Sequence, residues 1–143
     1  MTKLFTIFLV MTLSIIQMQG SEKILSSFKS TGDSITDWQI VDDGVMGGLS
    51  KGKFNISGKQ TLKFSGNLSL KNNGGFSSIR SKRTTMDLSE FKGIKMRVKG
   101  DGRTYKLRME SDSRYRRMAV SFQHEFKTTK EGWTEVFIPF DKL

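Results

Sequence analysis

From residue 37 onward the chain is written in short runs where apolar and polar residues alternate, and no window after residue 20 sustains a 3.6-residue apolar stripe over three turns. Alternation with a period of two puts one face of each run in a core and the other in water, so the chain is expected to fold as antiparallel sheet. The runs are DWQIV (37–41), GKFNIS (52–57), TLKFSG (61–66), LSLK (68–71), FSSIR (76–80), GIKMRVK (93–99), TYKLRME (104–110), RRMAVSF (116–122) and WTEVFIPF (133–140). Gly, Asn, Asp, Ser and Lys punctuate them at the spacing of a β-sandwich. DLSEFKG (87–93) is expected to make one turn of helix capped by Asp87. With no cysteine, stability has to come from packing, and thiol catalysis and thiolate metal sites are excluded.

The strongest pairing signal is GIKMRVKGDGRTYKLRME. Asp101-Gly102 suits a type I′ turn and predicts a hairpin with Val98 opposite Tyr105 and Met96 opposite Leu107 on the core side. The same register sets Arg97 against Lys106 and Lys95 against Arg108 on the outer face, where facing like charges destabilise. Residues 80–117 hold 13 Lys and Arg against 5 Asp and Glu, and the whole chain carries a net charge of +10. The basic face of Lys95, Arg97, Lys106 and Arg108 is either a solvated sheet surface or an anion-binding one for acidic glycans, anionic headgroups or an acidic protein. Nucleic acid fits poorly, because the basic residues lack interleaved aromatic stacking positions.

Residues 1–20 read as a signal peptide or a signal anchor, with Lys3 as the positive region and Leu4 to Ile16 as the apolar region. Thirteen helical residues span about 20 Å, short of a bilayer core. Cleavage would follow Gly20. The segment has no Arg and is apolar all round, unlike a mitochondrial presequence, so the protein is expected to be exported to the periplasm or secreted. The expected organisation is leader 1–20, lead segment 21–36 and β-sandwich 37–143.

Two glycine-rich stretches, DDGVMGGLS (42–50) and NNGGF (72–76), stand out against this background. They read either as buried turns or as a ligand site at one end of the sandwich, where Trp38, Asp42, Asp43, Asn72, Asn73 and Phe76 would converge. Carboxylates and amides suit sugar hydroxyls or peptide groups. DDG lacks the alternating spacing of a calcium loop, and one histidine, His124, is too few for a zinc site. No Gly-x-Ser-x-Gly elbow is present, and adjacent Asp42 and Asp43 point to opposite faces if extended, which is wrong for paired acid and base chemistry. The expectation is a non-enzymatic domain with no metal and no cofactor.

Trp38, DDGVMGGLS, FSG (64–66), LKNNGGFSSIR (70–80), RVKGDGRTYKLR (97–108) and WTEVFIPF, in that order, resemble the complex I intermediate-associated protein 30 family. The resemblance runs from about Trp38 to Phe140 and is most specific at DGVMGG and NNGGF. It implies a galactose-binding-like jelly roll and a chaperone-like binding protein without known catalysis, since mitochondrial members help assemble the membrane arm of complex I. The implied partner is a protein, membrane-associated in that setting; an extracytoplasmic carbohydrate-binding module is the alternative reading of the same fold. The family domain continues past the IPF run. A C-terminally incomplete sandwich is therefore expected, with Trp133, Val136, Phe137, Ile138 and Phe140 near an uncovered edge.

Overall fold

A computed structural model of the protein describes residues 3–9, 14–17, 22–29, 37–57 and 59–143. The point after Gly20 and residues 30–36 of the lead segment lie outside the described residues. Among the described residues the regular structure is all strand, apart from short 3₁₀ turns at Asp43–Met46, Lys71–Asn73 and Phe140–Lys142. The strands are β1 (Lys3–Leu9), β2 (Ser14–Gln17), β3 (Glu22–Ile24), β4 (Trp38–Asp42), β5 (Lys51–Ser57) and β6 (Thr61–Leu68). They continue with β7 (Ser77–Ser81), β8 (Phe91–Val98), β9 (Thr104–Tyr115), β10 (Met118–Lys127) and β11 (Thr134–Pro139).

The strand pairs are antiparallel, in four groups ordered β1-β6-β5, β11-β8-β2-β3, β4-β7 and β9-β10. Alternation decides which face of each is buried. On β6, Leu62 and Phe64 are buried while Lys63 between them is exposed; on β8, Ile94, Met96 and Val98 are buried. These meet Ile138 of β11, Leu25 and Phe28 in one core, and Tyr105, Leu107 and Met109 of β9 pack against it. Each fully buried aliphatic side chain contributes about 1.5–3 kcal/mol relative to exposure. One core shared by inner faces of separate antiparallel sheets is consistent with the expected sandwich.

The expected boundary at residue 20 falls between β2 and β3 of one sheet. Within the segment read as a leader, β1 runs along β6 from Lys3↔Leu68 to Leu9↔Leu62, and β2 lies between β8 and β3. Leu25 and Phe28, from the lead segment, are core residues.

Two local expectations are corrected. The Asp101-Gly102 hairpin does not form: β8 already has β11 on one side and β2 on the other, so the chain crosses to a different sheet and β9 pairs with β10. Gly102 does take a positive φ of 86°, but the turn is held by Thr128, whose hydroxyl accepts from Gly102 N–H at 3.2 Å and donates to Arg103 C=O at 2.9 Å. Residues 87–93 make a turn rather than a helical one, because the Asp87 carboxylate accepts from Ser89 N–H at 3.0 Å and β8 begins at Phe91.

Candidate functional site

The two glycine-rich stretches meet, and Asp43 is the reason. Its side chain is fully buried and accepts from Ser50 N–H at 2.9 Å, Ser50 Oγ–H at 2.5 Å, Gly75 N–H at 2.6 Å and Phe76 N–H at 3.2 Å. One carboxylate thus stitches the first loop to the second. Burial alone pushes the carboxyl up, but the Ser50 hydroxyl and the Gly75, Ser50 and Phe76 amides outweigh it and hold Asp43 at about 2, below its ordinary 3.8. The glycines follow from this geometry. A Cβ on Gly48 would overlap the Asp43 carboxyl group, and one on Gly74 would lie 2.6 Å from Asp43 Oδ2 and 2.8 Å from Ser69 C=O.

Asp42 points the other way, as extended backbone requires, and its two oxygens share the Gly52 N–H at 3.0 and 3.1 Å. Asn72 and Asn73 are exposed with φ of 55° and 57°, in the left-handed region asparagine tolerates, and Asn72 Nδ2 donates to Gly47 C=O at 3.2 Å. Trp38 is half-buried and packs on Phe28 at 5.8 Å between ring centroids, and Phe76 is also half-buried. Of the six residues expected to converge, Asp43, Asn72 and Phe76 bridge the two loops. Asp42 and Trp38 are engaged with β5 and Phe28 instead.

Sequence reasoning missed what the loops display. Val45 and Leu70 are 77% and 74% exposed, and Met46 and Leu49 are exposed beside them in sequence. The signal was available: apolar residues in a glycine-rich turn have no alternating pattern that would bury them. Lys71 on the second loop and Lys51, the first residue of β5 after the first loop, are exposed. The loops therefore present apolar side chains and positive charge on a backbone held by a buried anion.

The basic residues sit differently from expectation. The facing like-charge pairs do not occur, because the hairpin that would create them does not form. Lys95 pairs with Glu22, a bond that pushes its pKa up, and Arg97 stands opposite Glu135 with its guanidinium 5.8 Å from the Trp133 ring centroid. Lys106 lies 3.5 Å from Glu125, and Arg108 donates to Gln123 Oε1 at 3.3 Å. His124 lies within β10, its Nδ1 3.1 Å from Lys142 C=O. Among the described residues no three of His, Asp and Glu gather as a metal-ligating group. Among the described residues β11 is an edge strand with Ile138 in the core and Phe137 exposed, and Trp133 just before it is exposed too.

Residues 26–143 match the family described as complex I intermediate-associated protein 30. Complex I intermediate-associated protein 30, mitochondrial, of Drosophila melanogaster is 26% identical over 142 residues, covering 87% of this chain and 48% of the relative. The chain therefore spans about half the length of the curated relative it matches. No solved structure matches it. The mitochondrial relative overturns the expected export to the periplasm or exterior, and the structure supplies a reason for the misreading: parts of the apolar run taken as an export signal are strands β1 and β2. With its family match extending over most of the sequence, the chain belongs to the complex I intermediate-associated protein 30 family.

Proposed function

We propose that this chain is a non-catalytic, chaperone-like binding domain that acts as an assembly factor on a protein partner, in mitochondria, through the apolar loops held by Asp43. The observation that carries the reading is the exposure of Val45, Met46, Leu49 and Leu70 on loops whose backbone is pinned from within. Exposed apolar side chains cost solubility, and a rigid display lowers the ordering cost of binding. Family membership supports the choice of partner: the relative is named for association with a complex I intermediate. A membrane-associated partner fits the apolar, basic character of the loops.

Affinity capture from detergent-solubilised mitochondria tests it, with the full chain and a Val45→Ser, Met46→Ser, Leu70→Ser variant compared side by side. Complex I subunits are expected with the first and at least about tenfold depleted with the second, as the loss of central apolar anchors implies. Capture of no complex I subunit by the full chain would overturn the reading.

A further inference from the structure

The β9–β10 ribbon has a second surface of different chemistry. Its base is anchored: Tyr105, Leu107 and Met109 pack against the core, and Arg83 pairs with Glu110 at 2.9 Å. Just beyond Glu110 the register breaks. Glu110 pairs with Ser121 and Arg114 with Ala119, so residues 111–113 face Val120 alone, a bulge that bends the ribbon. From within the bulge to the tip, residues 112–118 are all exposed, with Tyr115 at 63% and Met118 at 67%.

The turn that closes this ribbon is costly. Arg116 and Arg117 join Tyr115 to its partner Met118 with φ of 48° and 69°. A two-residue turn with both φ positive is one that Asn-Gly forms readily and that bulky side chains resist. A backbone held in a sparsely populated region at an exposed tip points to a role for the side chains placed there. Among the described residues none of Arg114, Arg116 and Arg117 has a carboxylate partner; Arg116 instead lies over the Tyr115 ring at 5.4 Å.

We propose that the tip from Arg114 to Met118 is a docking arm for an acidic protein segment, its arginines pairing with carboxylates while Tyr115 and Met118 seat in an apolar notch. Arginine's planar fork matches carboxylates bidentately, and Tyr, Arg and Met are the side chains enriched where proteins meet. A membrane is the poorer occupant, since interfacial binding scales with buried apolar area and the narrow tip offers two such side chains. The proposal rests on the reading that the chain binds protein and not on the loops around Asp43.

The test uses the full chain, a fluorescent peptide of Asp, Glu and Leu, and phosphatidylglycerol vesicles. An Arg116→Asn, Arg117→Gly variant installs the favoured turn while removing both guanidiniums, so its urea midpoint is expected to hold or rise. Its peptide affinity is expected to fall about tenfold or more, whereas Lys53→Asn, Lys59→Asn, which removes the same charge elsewhere, should bind within about twofold of the parent. An unchanged affinity for the turn variant, an equal loss in the lysine variant, or binding to vesicles but not peptide would each overturn the proposal. If the parent captures complex I subunits and the turn variant captures them equally, the arm is refuted while the assembly reading stands. If the parent captures none but the peptide results hold, the assembly reading falls alone.

Discussion

Replacing Ser50 by alanine isolates the joint between the two loops. The hydroxyl donates to Asp43 Oδ2 at 2.5 Å and accepts from Ser69 N–H at 3.1 Å, in a residue with no exposed surface. Losing a hydrogen bond to a charged acceptor costs about 1.5–3 kcal/mol, and stranding the Ser69 N–H adds about 1 kcal/mol. The variant should therefore be about 2.5–4 kcal/mol less stable at neutral pH, a large share of the about 5–15 kcal/mol typical of a domain. Acid gives the signature that separates this bond from mere packing. Asp43 in the folded state titrates at about 2 against an ordinary 3.8, so the stability its charge contributes is present above the higher value and is lost as pH falls through the lower one. Without the Ser50 donor the folded carboxyl moves back toward its ordinary value, and the difference between parent and variant should shrink as pH falls across that interval. Urea unfolding followed by Trp38 and Trp133 fluorescence at a series of pH values measures both effects. A loss below about 1 kcal/mol, or the same loss at every pH, would refute the assignment of Asp43 as an ionised joint.

Gly74→Ala should cost about 1–3 kcal/mol, seen as a lowered melting temperature, because its Cβ would crowd both Asp43 Oδ2 and Ser69 C=O. Removing residues 1–20 should strip β1 from β6 and leave β8 and β3 without the strand between them, producing self-association in sedimentation velocity; a monomer that unfolds as cooperatively as the full chain would show that these strands are dispensable.

Much of the strand inventory was legible, because alternation records burial directly. Leu62-Lys63-Phe64 and Ile94-Lys95-Met96-Arg97-Val98 announce which side faces the core, and each does face it. Pairing was not legible. Asp101-Gly102 signals a local reversal, but whether the following strand returns alongside β8 depends on the competing claims of β11 and β2, which lie far off in sequence. Conversely, Arg116-Arg117 makes a tight turn without any of the residues that advertise one. At the candidate site the residue types were visible and their directions were not: Asp43 is committed by amides at Gly75 and Phe76, more than thirty positions away. The compartment was not legible from the apolar run at residues 4–16, because a hydrophobic segment reads alike whether bound for a translocon or for a sheet, and the mitochondrial relative is what overturns the expected export.

That early segment also sets a timetable. Lys3 finds its neighbour at Leu68 and Ser14 has one of its two at Lys95, so β1 and β2 are completed by partners that leave the ribosome much later than they do. At typical synthesis rates the wait is on the order of seconds, during which β2 has only β3 beside it and β1 has yet to meet β6. Closing such long loops before any contact rewards them also slows the search once the chain is free. Slower delivery of β6 and β8 during translation should therefore lower the yield of folded chain, a dependence that slow synonymous codons placed before Thr61 would expose.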